Sequence, residues 1–403
     1  MKVAQINMAC GRGSTGRIVM QISHLLTEEG NCNKVFYSGY NECAEPEAEK
    51  INSLLGIRLH QMQSRFLGNQ GWNSSLHTRM LVKKLKEFQP DIVHLHNLHG
   101  YYLNMKILFD YLAEADCKVI WTLHDCWAFT GHCAHYTKAA CDKWKRGCSQ
   151  CPQKSSYPYS LIFDRSKELF CRKQTLYAAV RDLRITTVSK WLEDQVRQSA
   201  LLGDREIRTI YNGVDIGVFR PLDKPAKNKK RILGVSNVWS ERKGLQDFLK
   251  LGSLVSDDFE IVLVGVSEEQ SKSIPKEIQT LRRTDSVEAL VQLYNSADVF
   301  FNPSVEETFG LTTVEAMACG VPVVVYDSTA SPELVSEGVG RVVPAGNVDA
   351  AYAAIQSIVV GSQDDYRKNC RKRVEENYDQ KHNYYQYLEL YRELIPRQTT
   401  TNT

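Results

Sequence analysis

The 403-residue chain carries a formal net charge of +3, with 43% hydrophobic and 24% charged residues. It is too long for one ordinary core and suggests about two soluble globular domains. The weak charge does not imply a nucleic-acid surface, no apolar run approaches the ~18 residues of a membrane span, and Gln5 and Asn7 interrupt the apolar stretch a signal peptide needs. The expected location is the cytoplasm, where the twelve cysteines act as reduced thiols or metal ligands rather than disulfides.

In chain order, a strand-like run at 2–7 leads into "ACGRGSTGRIVM", with Gly11, Gly13 and Gly16 spaced G-x-G-x-x-G before a helical pattern. Such a turn offers backbone N–H groups to an anion at a helix N-terminus. A dinucleotide site also needs an acid at the end of the second strand. That strand, 33–38, ends at Ser38-Gly39, and Glu42 comes later. A phosphate or sugar-binding turn, a dinucleotide site and a purely structural turn all remain open.

Further apolar runs at 91–98, 118–125, 184–189 and 206–212 alternate with helical patterns such as 74–88 and 103–115. Continuous apolar strands separated by helices mean a parallel sheet covered on both faces. His94, His96 and His99 follow "PDIV" at one strand end. Their spacing suits a metal pair, acceptor contacts, or side chains that merely share one face of a strand. His124 ends the strand "VIWTLHD".

Five cysteines then fall between 126 and 151, in a segment that looks too short and too polar to build its own core. Cys133, Cys141, Cys148 and Cys151, ending in C-x2-C, suggest a structural zinc site; reduced thiols in a packed loop and a redox role are the alternatives. Residues 165–184 hold six basic and two acidic residues around Leu169, Phe170, Leu176 and Tyr177. This reads as a basic amphipathic helix, lying either on an anionic membrane surface or with its apolar side in the core.

A Pro- and Lys-rich stretch, 218–230, reads as a linker, after which strand-like runs recur at 231–237, 259–266, 298–304, 321–327 and 340–346. The expected fold is therefore α/β, with two doubly wound parallel-sheet domains in tandem and a ligand cleft beyond the strand ends. The tail "RQTTTNT" reads as frayed.

The most informative stretch is "NPSVEETFGLTTVEAMACGVPVVVYD". A strand ends at Ser304, a loop carries Glu306 to Gly310, and a helix starts near Leu311 and carries Glu315. The N–H groups of Leu311, Thr312 and Thr313 can hold a phosphate, and a carboxylate can accept two vicinal hydroxyls of a sugar or ribose. Glu307 alone would equally serve as a helix N-terminal acid.

The E-x7-E pattern, with F-G-L and E-A-M-A-C-G-V-P-V-V, resembles the signature of the retaining family-four glycosyltransferases of GT-B fold. The segments 210–221 and "SERKGLQDFL" resemble that family's interdomain crossover and phosphate-lysine segment, and the C-terminal helical stretch its returning helix. "HLHNLHGYYLN" and "WTLHDCWAFTGHC" look closest to colanic-acid and exopolysaccharide enzymes. The resemblance implies a domain at 1–212 on the acceptor side, with a Cys-rich insert at 126–152 and a closing helix at 380–398. It implies a donor-binding domain at 213–379.

The resemblance gives each residue a role. Glu307 would hold the donor sugar, Glu315 the ribose, and Gly310, Leu311 and Thr312 the diphosphate. Lys243 would neutralise the leaving group, and His124 would lie beside the reacting sugar. Gly13, Asn237 and Phe309 complete the expected donor site. The family's arginine upstream of the lysine is absent, since Asn237 and Val238 stand there, and Arg242 is the nearest replacement. Ala330-Ser331 replaces the usual Gly-Gly before P-E.

The expected reaction transfers a sugar from a nucleotide diphosphate sugar to a glycan or lipid-linked acceptor, with no cofactor required for catalysis and no nucleic acid involved. Peripheral contact with the inner face of a membrane is expected to accompany it. The alternatives are a nucleotide-sugar epimerase of the same fold and a non-catalytic sugar-nucleotide-binding partner.

Overall fold

Short apolar segments alternating with amphipathic ones favour parallel strands with helical crossovers, and two such sheets form. The computed structural model describes residues 1–224 and 227–395. Unit 1 comprises Met1–Ile210 and the chain from Tyr384, and unit 2 comprises Tyr211–Asn383.

Unit 1 has strands β1 (Lys2–Asn7), β2 (Cys32–Tyr37), β3 (Ala48–Lys50), β4 (Ile92–Leu95), β5 (Lys118–Leu123), β6 (Leu183–Thr187) and β7 (Ile207–Thr209). They pair in parallel in the order β3-β2-β1-β4-β5-β6-β7. Its helices are α1 (Gly13–Glu28), α2 (Leu54–Leu67), α3 (Ser75–Phe88), α4 (Met105–Glu114), α5 (Ser166–Ala179) and α6 (Lys190–Arg197).

Unit 2 has α7 (Leu245–Gly252), α8 (Glu268–Ser271), α9 (Val287–Asn295), α10 (Leu311–Ala318), α11 (Ser331–Leu334), α12 (Val348–Val360) and α13 (Gln363–Asn377). These surround β8 (Lys230–Val235), β9 (Phe259–Val264), β10 (Ile278–Leu281), β11 (Val299–Asn302), β12 (Val323–Tyr326) and β13 (Gly340–Val343), paired in parallel in the order β10-β9-β8-β11-β12-β13. The last helix, α14 (Gln380–Leu394), buries Tyr384, Tyr387, Leu388 and Tyr391 against Val3, Ile18 and Ile120 of unit 1. Residues 396–398 of the expected closing helix, and the tail from 397, lie outside the described residues.

Three expectations are corrected. The stretch 218–230 is not a free linker: Leu222 donates its amide to Asn295 Oδ1 at 2.6 Å, and Lys224 pairs with Asp298 at 3.1 Å, both within unit 2. The apolar side of α5 is not available to a membrane, because Leu169, Phe170, Leu176 and Tyr177 are buried.

The third correction concerns the Cys-rich segment, which does build a small core. Trp144 is buried, with ring centroids 5.2 Å from Phe129 and 4.8 Å from Tyr136. Beneath it, buried Lys173 donates to Trp127 O at 2.5 Å and Thr130 O at 3.0 Å, and lies over the Trp127 ring. Tyr177 Oη donates to Ala128 O at 2.9 Å. Among the described residues no group of three or more His, Cys, Asp or Glu is placed to hold a metal ion, so zinc at Cys133, Cys141, Cys148 and Cys151 is not supported. Instead Cys148 Sγ accepts the Gly131 amide at 3.1 Å, and Cys133 pairs with Cys151 by a hydrogen bond. Aromatic packing and a hydrogen-bonded buried ammonium supply the order that a metal was expected to supply.

Candidate functional site

In an open parallel sheet the ligand crevice opens where the strand order reverses, beyond the carboxyl ends of the two strands there. In unit 2 these strands are β8 and β11. The chain leaving β8 carries Asn237, Arg242 and Lys243; the chain leaving β11 carries Glu306, Glu307 and Phe309 and ends in α10.

The two loops are locked together. Gly244 has φ +75°, and a Cβ there would lie 2.5 Å from Pro303 O, so glycine alone lets the first loop pass this close to the second. Val305 donates its amide to Arg242 O at 2.9 Å, and Arg242 Nη1 donates to Glu306 O at 3.2 Å. Lys243 Nζ then reaches Glu307 Oε1 at 2.5 Å, with both side chains largely withdrawn from water. Burial alone would raise the Glu307 carboxyl. The charge and hydrogen bond of Lys243, with Arg242 and Ser304 behind them, more than offset it and hold the group below the usual carboxylate range.

Gly310, at φ +103°, ends the loop and precedes α10, a helix with no side-chain cap at its N-terminus. Thr313 and Val314 donate their amides back to Gly310 O at 3.0 and 3.3 Å. The expectation that Thr313 N–H serves an anion is thus corrected, and Leu311 and Thr312 carry the amides ahead of the first helical bond. Glu315, one turn in, is buried and accepts a hydrogen bond from Tyr294 Oη at 2.8 Å. Phe309 is buried, its ring 5.7 Å from Tyr378 and 6.2 Å from Tyr211. Asn237 is exposed on its loop.

Thr329 was not anticipated. Its Oγ1 accepts the Glu307 amide at 2.8 Å, and its own backbone sits at φ +51°. A β-branched residue in the left-handed region is strained, and here it fixes the backbone that aims Glu307. Its sequence signal was the altered "STASPELV" loop, where Ala330 N–H also donates to Glu307 O at 3.2 Å.

In unit 1 the order reverses between β1 and β4. The turn after β1 is closed by Gly11 N–H donating to Gly16 O at 3.0 Å, and it delivers Gly13 as the first residue of α1. The α1 N-terminus has neither a side-chain cap nor an acid in its first turn, which suits an anion.

The histidines within and beyond the carboxyl ends of β4 and β5 form a buried array. His94 is used up structurally, bonded to Tyr391 Oη at 2.6 Å and Thr122 Oγ1 at 2.7 Å. His96 Nδ1 lies 3.1 Å from His124 Nε2, and His99 Nε2 lies 2.6 Å from Asp125 Oδ2. Burial, against the pull of Asp125, pushes His124 down to about 4. Burial would raise Asp125, but His99 above all holds it down at about 2. At neutral pH this end of unit 1 therefore presents a neutral His124 beside an ionised Asp125.

The comparisons with known proteins agree with this architecture. Residues 15–218 match the family model "Glycosyltransferase Family 4" and residues 229–361 match "Glycosyl transferases group 1". The chain is 24% identical over 364 residues to the putative colanic acid biosynthesis glycosyl transferase WcaC of Escherichia coli K12, covering 85% of this chain and 87% of that one. Among solved structures it resembles sucrose-phosphate synthase from Thermosynechococcus elongatus, with a TM-score of 0.73, 18% identity and coverage of 98% and 100%. It also resembles Anabaena HepE in complex with UDP, with a TM-score of 0.65, 16% identity and coverage of 97% and 99%. With half of the chain matched by one family model and both sheets parallel as expected, the chain belongs to glycosyltransferase family 4 and has the GT-B fold.

Proposed function

We propose that this glycosyltransferase moves a hexosyl group from a nucleotide diphosphate sugar to a hydroxyl of a glycan or lipid-linked acceptor, with retention at the anomeric carbon, in polysaccharide biosynthesis. The observation that carries this reading is the Lys243–Glu307 pair at the strand-order reversal of unit 2. A cation and a carboxylate fixed side by side suit a ligand that is anionic at one end and polyhydroxylic at the other. The likeness to WcaC and to the UDP complex of HepE supports the same ligand class.

In this reading the bond between the anomeric carbon and the diphosphate oxygen breaks, and a bond to the acceptor oxygen forms on the same face. The acceptor proton passes to the departing phosphate oxygen. Lys243, Arg242 and the amides of Gly310, Leu311 and Thr312 stabilise the charge that develops there, which is the largest kind of catalytic term. Glu307 holds sugar hydroxyls, Glu315 the ribose, and Phe309 and Asn237 flank the nucleotide. Gly13 opens the anion-binding turn of unit 1, and His124 acts as a neutral hydrogen-bonding group beside the sugar. Unit 2 is thereby the donor domain and unit 1 the acceptor domain.

Incubation with UDP-, GDP- and dTDP-linked sugars and lipid-linked acceptors tests this. The expected products are nucleoside diphosphate and a glycosylated acceptor whose new linkage, read by NMR, keeps the donor's configuration. An inverted linkage would remove the retaining assignment. An altered sugar nucleotide released without acceptor would make the chain an epimerase.

A further inference from the structure

The fold of α2 leaves its more apolar face outside. Leu55, Leu59, Met62 and Phe66 recur at i, i+4, i+7 and i+11, which places them in one stripe, and they are between 47% and 67% exposed. The face turned inward carries Ile57, His60 and Ser64. Core packing normally selects the reverse arrangement, so the outer stripe is not explained by the folding of unit 1.

The stripe continues onto neighbouring chain. The loop 159–163 exposes Tyr159, Leu161, Ile162 and Phe163. It is ordered and docked on the end of α2: Leu161 donates its amide to Arg65 O at 2.7 Å, and Ser160 Oγ donates to Phe163 O at 2.5 Å. A Cβ on Gly68, the residue closing α2, would lie 2.7 Å from Phe163 O. On α3, Leu76 and Met80 are also exposed.

Cations outnumber acids around this apolar surface, where the acids beside the loop are the exposed Asp164 and Glu168, the latter paired with Arg165 at 3.7 Å. Residues 50–86 contain no Asp or Glu, while Arg58, Arg65 and Arg79 stand exposed among the apolar side chains. Two guanidinium groups lie over aromatic rings of the loop, Arg65 at 5.7 Å from Tyr159 and Arg165 at 5.9 Å from Phe163. Rings at the apolar boundary with cations beside them fit the zone between acyl chains and anionic headgroups. A second copy fits poorly, because a two-fold interface would set the acid-free face of α2, with Arg58 and Arg65, against itself.

We infer that α2 and the loop 159–163 form a docking surface for an anionic lipid bilayer. The apolar stripe enters the acyl boundary, and the arginines meet lipid phosphates. The inference goes beyond the transferase reading and does not depend on it. Loss of vesicle binding with transfer intact would remove the surface alone, and loss of transfer with vesicle binding intact would remove the reading of the donor site alone.

The test is co-sedimentation of the full chain with vesicles of phosphatidylcholine alone, or mixed with phosphatidylglycerol, at low and high salt. Expected is binding to the mixed vesicles, weakened by salt and reduced about tenfold or more in Leu59→Ser/Phe66→Ser, whose thermal melt should stay within a few degrees of the parent because both side chains are exposed. Arg58→Gln/Arg65→Gln should lose the preference for the anionic vesicles while leaving the melt unchanged. Absence of sedimentation at low salt overturns the proposal. So does binding that the serine variant retains in full, and so does self-association in analytical ultracentrifugation that the serine variant abolishes while vesicles bind neither form.

Discussion

Replacing Lys243 by Met removes one partner of a buried ion pair and leaves the other in place. The Lys243–Glu307 contact is 2.5 Å, and the two side chains are 19% and 14% exposed. Truncating one member of such a pair costs roughly 3–5 kcal/mol, because the remaining charge stays buried without its partner. Arg242 also pulls the Glu307 carboxyl downward, so the lower end, about 3 kcal/mol, is expected. For a unit of this size that lowers Tm by about 6–12 °C and leaves the protein folded, given a total stability of about 5–15 kcal/mol. Transfer, followed as release of nucleoside diphosphate, should fall by about 10²-fold or more, the size seen when one preorganised electrostatic contact is lost. The double variant Lys243→Met/Glu307→Gln separates the two effects. Removing the orphaned charge should recover most of the lost Tm, while transfer stays as low as in the single variant or lower. Near-normal transfer in Lys243→Met would refute the active-site assignment. Recovery of transfer together with Tm in the double variant would show that the pair is structural only.

Two further outcomes follow from buried groups in unit 1. Burial depresses His60 and His94 to about 3 and His124 and His132 to about 4, with His96 also well below its ordinary 6.5. The unfolded chain therefore binds protons that the folded one rejects, so stability is complete above 6.5 and falls as pH drops toward 4. Each histidine removes up to about 2 kcal/mol between pH 6.5 and about 5, and urea midpoints that stay flat over that interval would refute the reading. In the Cys-rich segment, Trp144→Ala should cost about 3–5 kcal/mol by emptying the aromatic cluster. A melt unchanged by that substitution would mean that the cluster does not hold the segment.

How much of this was legible in the sequence depended on whether the signal was local. The central strands β4, β11 and β12 are buried along their whole length and β1 at all but its first residue, while β8 is buried at its middle three, so each carries a legible apolar run. Of the four edge strands, β7 and β13 were legible and β3 and β10 escaped notice: "AEK" of β3 is half-buried throughout, and "IQTL" of β10 alternates, as strands do where one side meets water. Glu307 and Lys243 could each be named from their neighbours in sequence, but not the 2.5 Å contact between residues 64 apart. That contact follows from which strands flank the order reversal.

The cysteines show the opposite failure. Their C-x2-C spacing is a local signal, yet the partners that order the segment, Lys173 and Tyr177, arrive from α5. The same two side chains belong to the buried face that decides, between the two readings of α5, for the core and against the membrane surface. An amphipathic pattern says that a face is apolar, and only the packing says which face of which helix is left over. In α5 the apolar face is used in the core; in α2, where residues as ordinary as Ile57, His60 and Ser64 line the inner side, it is the outer one that remains to be accounted for.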